Sequence, residues 1–589
     1  MSGSRRYQRG RAPGVARSEG KTIVDFSRAG KDDGGQPEHP GCRAWRRREL
    51  SSRATFAEIS PSEFFYRNRD LAGFTNPARA LYMAIRELVE NSLDSAEMAG
   101  TPPDIYVKIV PENPNPELQD PKAYKLTVID NGTGVAPQHV PSAFGKVFYG
   151  SKYVLRQSRG MFGLGGTMAI LYGQITTNRP VTITTSPDGK RKYGFQMMID
   201  IGENRPTVLK RFNSDANGTT GTRVDIVLEG DYLRASQKIG DYFKQTALVA
   251  SYANLTFVDP TGQITFYERA TTSLPVPPKE TLPHPYGVDV EAFKRIVKIS
   301  EEHDMKSFMV THFHRVGDKI ATKFLEFAGV SPKLPPKRLN TNQIVAVVDA
   351  LQRFPDFLQP DAAVLSPIGE EILLAGINKE LAPEFSTVVA RPPSSYSGFP
   401  FLVEVGVAYG GKVLQPGVKL FRFANRIPLL YDESSDVSFE VLNEEVDWRR
   451  YHVPSEAPVG VITHIASTRI PYKTVGKEYI ADRPEIQREI RNAVREALRR
   501  LGIFLSRKGT MEAVQKKMNI YGKYLPLIAQ FSTELAGKSD LPDYKKLIGE
   551  GGAAEGAAEG DEGAEETMNG GEDVNKEESQ ETIDRYGGS

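Results

Sequence analysis

The sequence predicts a multidomain α+β protein, and three observations carry that expectation. The chain has 589 residues and a mass of 65.2 kDa, which at about 100–200 residues per domain means several domains. Its centre interleaves β-branched, strand-like runs with amphipathic helical ones. Two proline-rich stretches, 271–287 and 353–369, interrupt that pattern, because proline fixes φ and removes a backbone donor.

In chain order, residues 1–57 are rich in Gly, Arg and Ser with little apolar periodicity, and read as a disordered basic arm. The block 58–280 begins with a predicted helix over 77–98, PARALYMAIRELVENSLDSAEM. Pro77 suits its first turn, and Leu81, Ile85, Leu88 and Ser92 share one face at spacings of three and four. YVKIV (106–110), YKLTVID (124–130), VTITT (181–185), FQMMIDI (195–201), TRVDIVL (222–228) and ITFYE (264–268) read as strands. The pattern is that of helices on one face of a largely antiparallel sheet. The proline breaks then set off 281–360 and 361–549. The last stretch, 550–589, is low-complexity and acidic, and reads as a disordered tail.

Composition excludes several classes. The single cysteine, Cys42, rules out an internal disulfide framework and any cysteine-built zinc site. No apolar run approaches the ~18 residues of a membrane span, and the basic N-terminus lacks the apolar stretch of a secretory signal. A soluble intracellular protein without a membrane partner is expected. The net charge of +1 hides an uneven distribution. Residues 1–50 carry twelve Lys/Arg against six Asp/Glu, 550–589 carry two against thirteen, and the body between them nets +6. A mildly basic body permits a nucleic-acid partner without demanding one.

Four short motifs carry chemistry. Glu87, Asn91 and Asp94 lie at i, i+4 and i+7 of the first helix, on a face turned away from Leu81, Ile85 and Leu88. A carboxylate and an amide one turn apart can hold a water and a hydrated Mg²⁺; the same spacing also describes a merely wet face. Asp130-Asn131-Gly132-Thr133-Gly134 follows a strand end, where an Asp can accept a hydrogen bond from an exocyclic amine such as adenine's, or simply build a turn. Gly160-Met161-Phe162-Gly163-Leu164-Gly165-Gly166-Thr167 leads into an apolar helical run, so its free N–H groups can face an anion. It lacks the Gly-Lys-Ser/Thr ending of a P-loop, and no acidic residue follows about 20 residues on as in dinucleotide folds. Ser151 and Lys152 nearby offer a hydroxyl and a charge, and Gly221-Thr222 opens a strand with a hydroxyl that can brace Asp130 or the base.

The order of these motifs resembles the Bergerat ATP-binding fold of gyrase, chaperone, histidine-kinase and mismatch-repair ATPases. That resemblance implies that Asn91 binds Mg²⁺, Asp130 with Gly132, Gly134 and Thr222 holds adenine, and Gly160 to Thr167 form a lid over the phosphates of ATP. Glu87 stands where hydrolysing members keep a water-activating carboxylate that the kinases lack. Three longer stretches, 59–97, 144–174 and RFANRIPLLYD (422–432), resemble the B subunits of DNA topoisomerase VI, a similarity running from about residue 58 to about 520. It implies a Bergerat-fold ATPase domain over 58–280 with an N-terminal strap (59–76), a helix–two-turns–helix domain over 281–360, and a ribosomal S5-like α/β transducer over 361–510 closed by the helix 485–507. A helical segment over 511–549 would dock a partner. Lys477, in TRIPYKTVGKEYIA (468–481), matches the family's switch lysine and would reach the γ-phosphate. Some members have Lys or Ser where this chain has Thr167.

The resemblance further implies an ATP-hydrolysing subunit that dimerises on binding ATP, captures double-stranded DNA and signals to a DNA-cleaving A subunit in an A₂B₂ assembly. An archaeal source and a cytoplasmic, nucleoid-associated place go with it. The alternative is a chaperone or mismatch-repair clamp with the same ATP site. Two decoys are set aside: Glu229-Gly230-Asp231, which lacks the later D-x-D of a DNA-cleaving centre, and His312 with His314, alternate residues of one expected strand face without a third ligand. No winged-helix tyrosine is found, so this chain is not expected to cleave DNA by itself.

Overall fold

The structure, a computed structural model, describes residues 58–113, 122–150, 154–160, 163–473 and 476–544. The expected arm (1–57) and acidic tail (550–589) lie outside them.

An eight-stranded sheet dominates the first part of the chain. Its strands are β1 (Asp104–Pro111), β2 (Lys122–Ile129), β3 (Val181–Ser186), β4 (Arg191–Asp200), β5 (Arg205–Asp215), β6 (Gly221–Gly230), β7 (Asn254–Val258) and β8 (Ile264–Tyr267). They lie in the order β5-β4-β3-β6-β2-β1-β7-β8, and every neighbouring pair is antiparallel except β1–β7. The accompanying helices are α1 (Pro61–Arg67), α2 (Pro77–Met98), α3 (Val140–Gly145), α4 (Gly165–Thr177) and α5 (Tyr232–Val249). α2 packs against α4, α5 and β6.

α2 has the predicted limits. Pro77 occupies its first turn, and the side chain of Asn76 accepts the Arg79 N–H as its N-cap. Its polar face is only partly wet, with Asn91 exposed and Glu87 covered. Residues 80 to 90 are all buried, Arg86, Glu87 and Glu90 included, because other parts of the chain cover the side the apolar stripe leaves open. Strands appear at each predicted place. β5 and β7 carried no readable signal: β5 is exposed at most of its positions, so burial imposes no alternation on it, and β7 is only five residues long. Asp231 caps α5 by accepting the Arg234 N–H, an ordinary structural role.

Four helices follow, α6 (Val290–Ile299), α7 (Met305–His312), α8 (Asp318–Phe327) and α9 (Thr341–Arg353). They enclose an aromatic core of Phe293, Phe308, Phe313, Phe324 and Phe354. His312 ends α7 and meets Ser300 Oγ at 2.9 Å, so the expected strand face at 312–314 does not exist.

The remaining chain forms α10 (Glu370–Leu381), β9 (Phe385–Ala390), β10 (Ser394–Tyr396), β11 (Phe399–Tyr409), β12 (Val418–Ala424), β13 (Ile427–Pro428), α11 (Val437–Glu440), β14 (Val459–Ser467) and α12 (Pro484–Leu535). The second sheet runs β10-β11-β14-β12-β13, with β9 also paired to β11. α10 joins the two sheets: Ile372, Leu373 and Ile377 belong to the same apolar core as α2 and β6. The helix crosses α5 so closely that a Cβ on Gly376 would lie 1.9 Å from the Leu248 carbonyl oxygen, which only glycine permits. Glu404 on β11 accepts the N–H groups of Ile368 (2.9 Å) and Gly369 (2.7 Å) and pairs with His464 Nδ1 at 2.7 Å. Burial pushes the Glu404 carboxyl up, but the His464 ring and the two N–H groups outweigh it and hold it below its ordinary value.

α12 is one helix of 52 residues, with Pro526 inside it. Ile486, Ile490, Val494, Leu498 and Leu501 are buried against the second sheet. Beyond them Ile520, Tyr524, Leu527, Phe531 and Leu535 form an exposed stripe. Among the described residues no helix is long and apolar enough to cross a membrane.

Two outcomes follow from this packing. Leu498→Ala should lower unfolding stability by about 2–5 kcal/mol, while Phe531→Ala should stay within about 0.5 kcal/mol, as read by chemical denaturation. A carboxyl held below its unfolded pKa stabilises the fold fully above that pKa, and the gain is lost as pH falls through the folded value. Glu404→Gln should therefore flatten the loss of stability on acidification below about pH 4.5.

Candidate active site

Helix α2 is the spine of the site. Glu87 is buried, with Oε1 3.0 Å from Arg86 Nη2 and 3.6 Å from Lys477 Nζ. Asn91, one turn on, is exposed. The start of α4 lies directly over both: a Cβ on Gly165 would fall 1.7 Å from Glu87 Oε2, and one on Gly166 would fall 3.2 Å from Asn91 Nδ2. These glycines therefore leave room for a carboxylate and an amide. Leu164, the N-cap of α4, makes no side-chain cap bond, so the first N–H groups of that helix retain their donor capacity.

Asp130 ends β2. Its Oδ1 accepts the N–H groups of Gly132 and Thr222, both at 3.0 Å, and its Oδ2 accepts the Ser92 hydroxyl at 3.0 Å. Thr222 thus braces Asp130 through its backbone rather than through its hydroxyl. Burial pushes the Asp130 carboxyl up, against the downward pull of those three bonds. Asn131 is occupied structurally, accepting the Asp104 N–H at 2.8 Å and donating to the Pro102 carbonyl at 3.0 Å.

Lys477 reaches in from the loop before α12. It is a buried residue in the left-handed region, with φ of 54°. Such a conformation costs roughly 1–3 kcal/mol for a non-glycine and persists where surrounding contacts impose it. Here Nζ donates to the Arg159 carbonyl at 3.0 Å and to Glu90 Oε2 at 3.3 Å. Arg86 completes the cluster: Nε lies 3.2 Å from Glu90 Oε1, and both terminal nitrogens donate to the Gly476 carbonyl at 3.1 Å. Burial works against the Arg86 charge, but Glu90 and Glu87 outweigh it and push its pKa up. Burial also raises the Glu90 carboxyl, opposed by Lys477 and Arg86.

One cavity of about 570 Å³ collects most of the predicted residues. Glu87, Asn91, Asp94, Gly134, Gly160 and Lys477 line it, as do Gly163, Leu164, Gly165, Gly166 and Thr167. Asp130, Gly132 and Thr222 do not line it themselves; Gly132, whose N–H donates to Asp130, packs against Ser95 and precedes Thr133, both of which do. Ser151, Lys152, Met161 and Phe162 lie outside the described residues. Its size suits a nucleotide, and the two glycines that clear Glu87 and Asn91 give the phosphates a place to lie. Asn91 supplies an oxygen at the cavity wall, which fits Mg²⁺.

Sequence reasoning missed Arg86, Glu90 and Arg159. Arg86 and Glu90 stand one turn apart on a helix, a pattern that usually marks a solvated ion pair. The only available hint was their place on the same turns as Glu87 and Asn91.

Two family models and several curated relatives match this chain. Residues 76–203 match the family described as histidine kinase-, DNA gyrase B- and HSP90-like ATPase. Residues 360–517 match the transducer of the topoisomerase VI B subunit. The B subunit of type 2 DNA topoisomerase 6 from Metallosphaera sedula is 45% identical over 503 residues, covering 84% of this chain and 93% of that one. Its counterpart from Saccharolobus islandicus is 42% identical over 512 residues, covering 85% and 95%. The ATPase region of Saccharomyces cerevisiae topoisomerase II aligns at 11% identity over 76% of this chain and 98% of that one, with a TM-score of 0.35.

The tight fit of α4 over α2 has a direct test. Gly165→Ala forces the Glu87 carboxylate aside, so ATP hydrolysis should fall by at least about tenfold while the thermal midpoint stays within a few degrees. Wild-type turnover in that variant would contradict the placement.

Proposed function

The chain belongs to the family of type 2 DNA topoisomerase 6 B subunits, and from that membership we propose how its site works. It is the ATP-hydrolysing subunit of an ATP-dependent DNA topoisomerase, an ATP-driven clamp that works with a DNA-cleaving A subunit. The observation that carries the mechanism is the convergence of Glu87, Asn91, the α4 glycines and Lys477 on one cavity.

ATP lies with its adenine toward Asp130. Oδ1 of that residue already accepts two N–H groups, whereas Oδ2 accepts only the Ser92 hydroxyl, so Oδ2 takes the exocyclic amine. The phosphates rest over Gly165, Gly166 and Thr167, whose N–H groups and helix dipole favour anions. Asn91 would hold Mg²⁺, which would supply positive charge to neutralise the phosphate oxygens. Glu87 orients a water and takes its proton as the water oxygen attacks the γ-phosphorus and the bond to ADP breaks. Lys477, 3.6 Å from Glu87 Oε1, presents its charge to the same phosphoryl group.

Binding closes two copies into a dimer, with the segment 59–76 strapping across the partner; the exposed Phe64, Tyr66 and Leu71 support that contact. The closed pair captures a DNA duplex and signals through 361–510 to the A subunit within A₂B₂. The exposed stripe of α12 from Ile520 to Leu535 is the docking surface for the A subunit. A chaperone or mismatch-repair clamp would share the ATP site. It does not account for the transducer match over 360–517 or for relatives that align over nearly their whole length.

Glu87→Ala should bind ATP within about threefold of wild type and still dimerise on binding it, while hydrolysis drops by about 100-fold or more. Unchanged turnover would sink the mechanism. Removing 511–589 should abolish co-precipitation with the A subunit without altering ATP affinity; retained co-precipitation would move the docking surface elsewhere.

A further inference from the structure

A chain of buried charges runs from the lid to the second sheet, and no role above uses it. Arg159 immediately precedes Gly160. Its guanidinium is buried between two carboxylates of α2, with Nη1 2.9 Å from Asp94 Oδ1 and Nη2 2.7 Å from Glu97 Oε1. The Tyr252 hydroxyl donates to the same Glu97 oxygen at 2.5 Å. The carbonyl of Arg159 is the acceptor for Lys477 Nζ at 3.0 Å. Whatever fixes the backbone of Arg159 therefore also fixes the lysine.

The other oxygen of Glu97 lies 3.2 Å from Nη2 of Arg426. Arg426 belongs to the two-residue turn between β12 and β13, where Ala424 pairs with Ile427. Both turn residues are left-handed, Asn425 at φ 48° and Arg426 at φ 66°, and both are buried. The pairing of the strands and the side-chain bonds hold this costly geometry. The Arg426 N–H donates to His464 Nε2 at 3.0 Å, and the His464 ring is in turn fixed by Glu404 at 2.7 Å. Asn425 Nδ2 donates to the Ser158 carbonyl at 3.3 Å and to the Ser467 carbonyl at 3.0 Å. The turn thus grips Ser158 directly, and Arg159 through Glu97.

We propose that Arg426 and Glu97 are positioning residues for ATP hydrolysis: through Arg159 they hold the start of the lid and the acceptor of Lys477, so the β12–β13 turn sets where the lysine's charge lies. The proposal rests on the reading of Lys477 as the γ-phosphate cation. Neither residue lines the cavity, so their effect should fall on the chemical step rather than on nucleotide capture.

The test uses the complete enzyme assembled with its A subunit and measures ATPase rates against ATP concentration. Arg426→Met and Glu97→Gln are each made alone and combined with Lys477→Met. Each single variant should lower kcat by about tenfold with KM for ATP shifted by less than about threefold, and Arg426→Lys should recover part of the loss. In the Lys477→Met background the same changes should cost less than about twofold, because the lysine through which they act is gone. Equal losses in both backgrounds would mean a purely structural role and overturn the proposal, as would unchanged kcat in the single variants. Should Arg426→Met fail to fold, the Glu97→Gln pair decides the matter by itself. A wild-type enzyme without ATP hydrolysis would sink the functional reading, and this proposal with it.

Discussion

The burial of charge along α2 is the constraint on which the rest of the site depends. An ion taken out of water costs several kcal/mol even after relaxation, so each buried ion must meet partners of good geometry. α2 carries Arg86, Glu87, Glu90, Asp94 and Glu97 on turns that other segments cover. Their partners come from far along the chain: Arg159 from the segment ahead of α4, Arg426 from the β12–β13 turn, Lys477 and the Gly476 carbonyl from the loop before α12. Arg79, near the start of the same helix, pairs with Glu478. The chain closes around this helix because its charges cannot be left alone there.

Two kinds of contact then hold the first sheet to the second, and they differ in what they tolerate. Around α10 the contact is apolar and close-packed, with Gly376 against the backbone of Leu248. Close packing resists small displacements, since interiors deform little before contacts are lost. Along α2 the contact is ionic. Lys477 has Glu90, Glu87 and a backbone carbonyl within reach, so its ammonium can exchange one oxygen for another without an unpaired intermediate. A contact of this composition is consistent with the proposed role of Lys477 toward a phosphate, since the lysine can change partners while the body around it stays packed.

Much of the fold was legible because its elements are half-buried. The limits of α2 follow from Asn76-Pro77 at its start and from Leu81, Ile85 and Leu88 along its buried face. The strands that alternate between core and surface announced themselves; β5, exposed along most of its length, did not. α12 was read as two pieces because its apolar face meets the core only as far as Phe504 and Leu505, and the apolar residues from Ile520 on are exposed, yet it is one helix. In the site, Glu87, Asn91, Asp130 and the glycines before α4 were singled out not by any one spacing but by the order of four short motifs and the family resemblance that order carries; the structure brings Glu87, Asn91 and those glycines to one cavity. Arg86, Glu90, Arg159 and Arg426 stayed hidden. Their pairing is long-range, and a buried arginine looks no different from a surface one until the fold brings its carboxylates to it.

The most direct test of the account is the relaxation of supercoiled plasmid with ATP and Mg²⁺, by this chain with and without its A subunit. The account predicts relaxation only when both chains and ATP are present. ATP hydrolysis without relaxation, in the presence of an A subunit that works with a B subunit of another source, would contradict it.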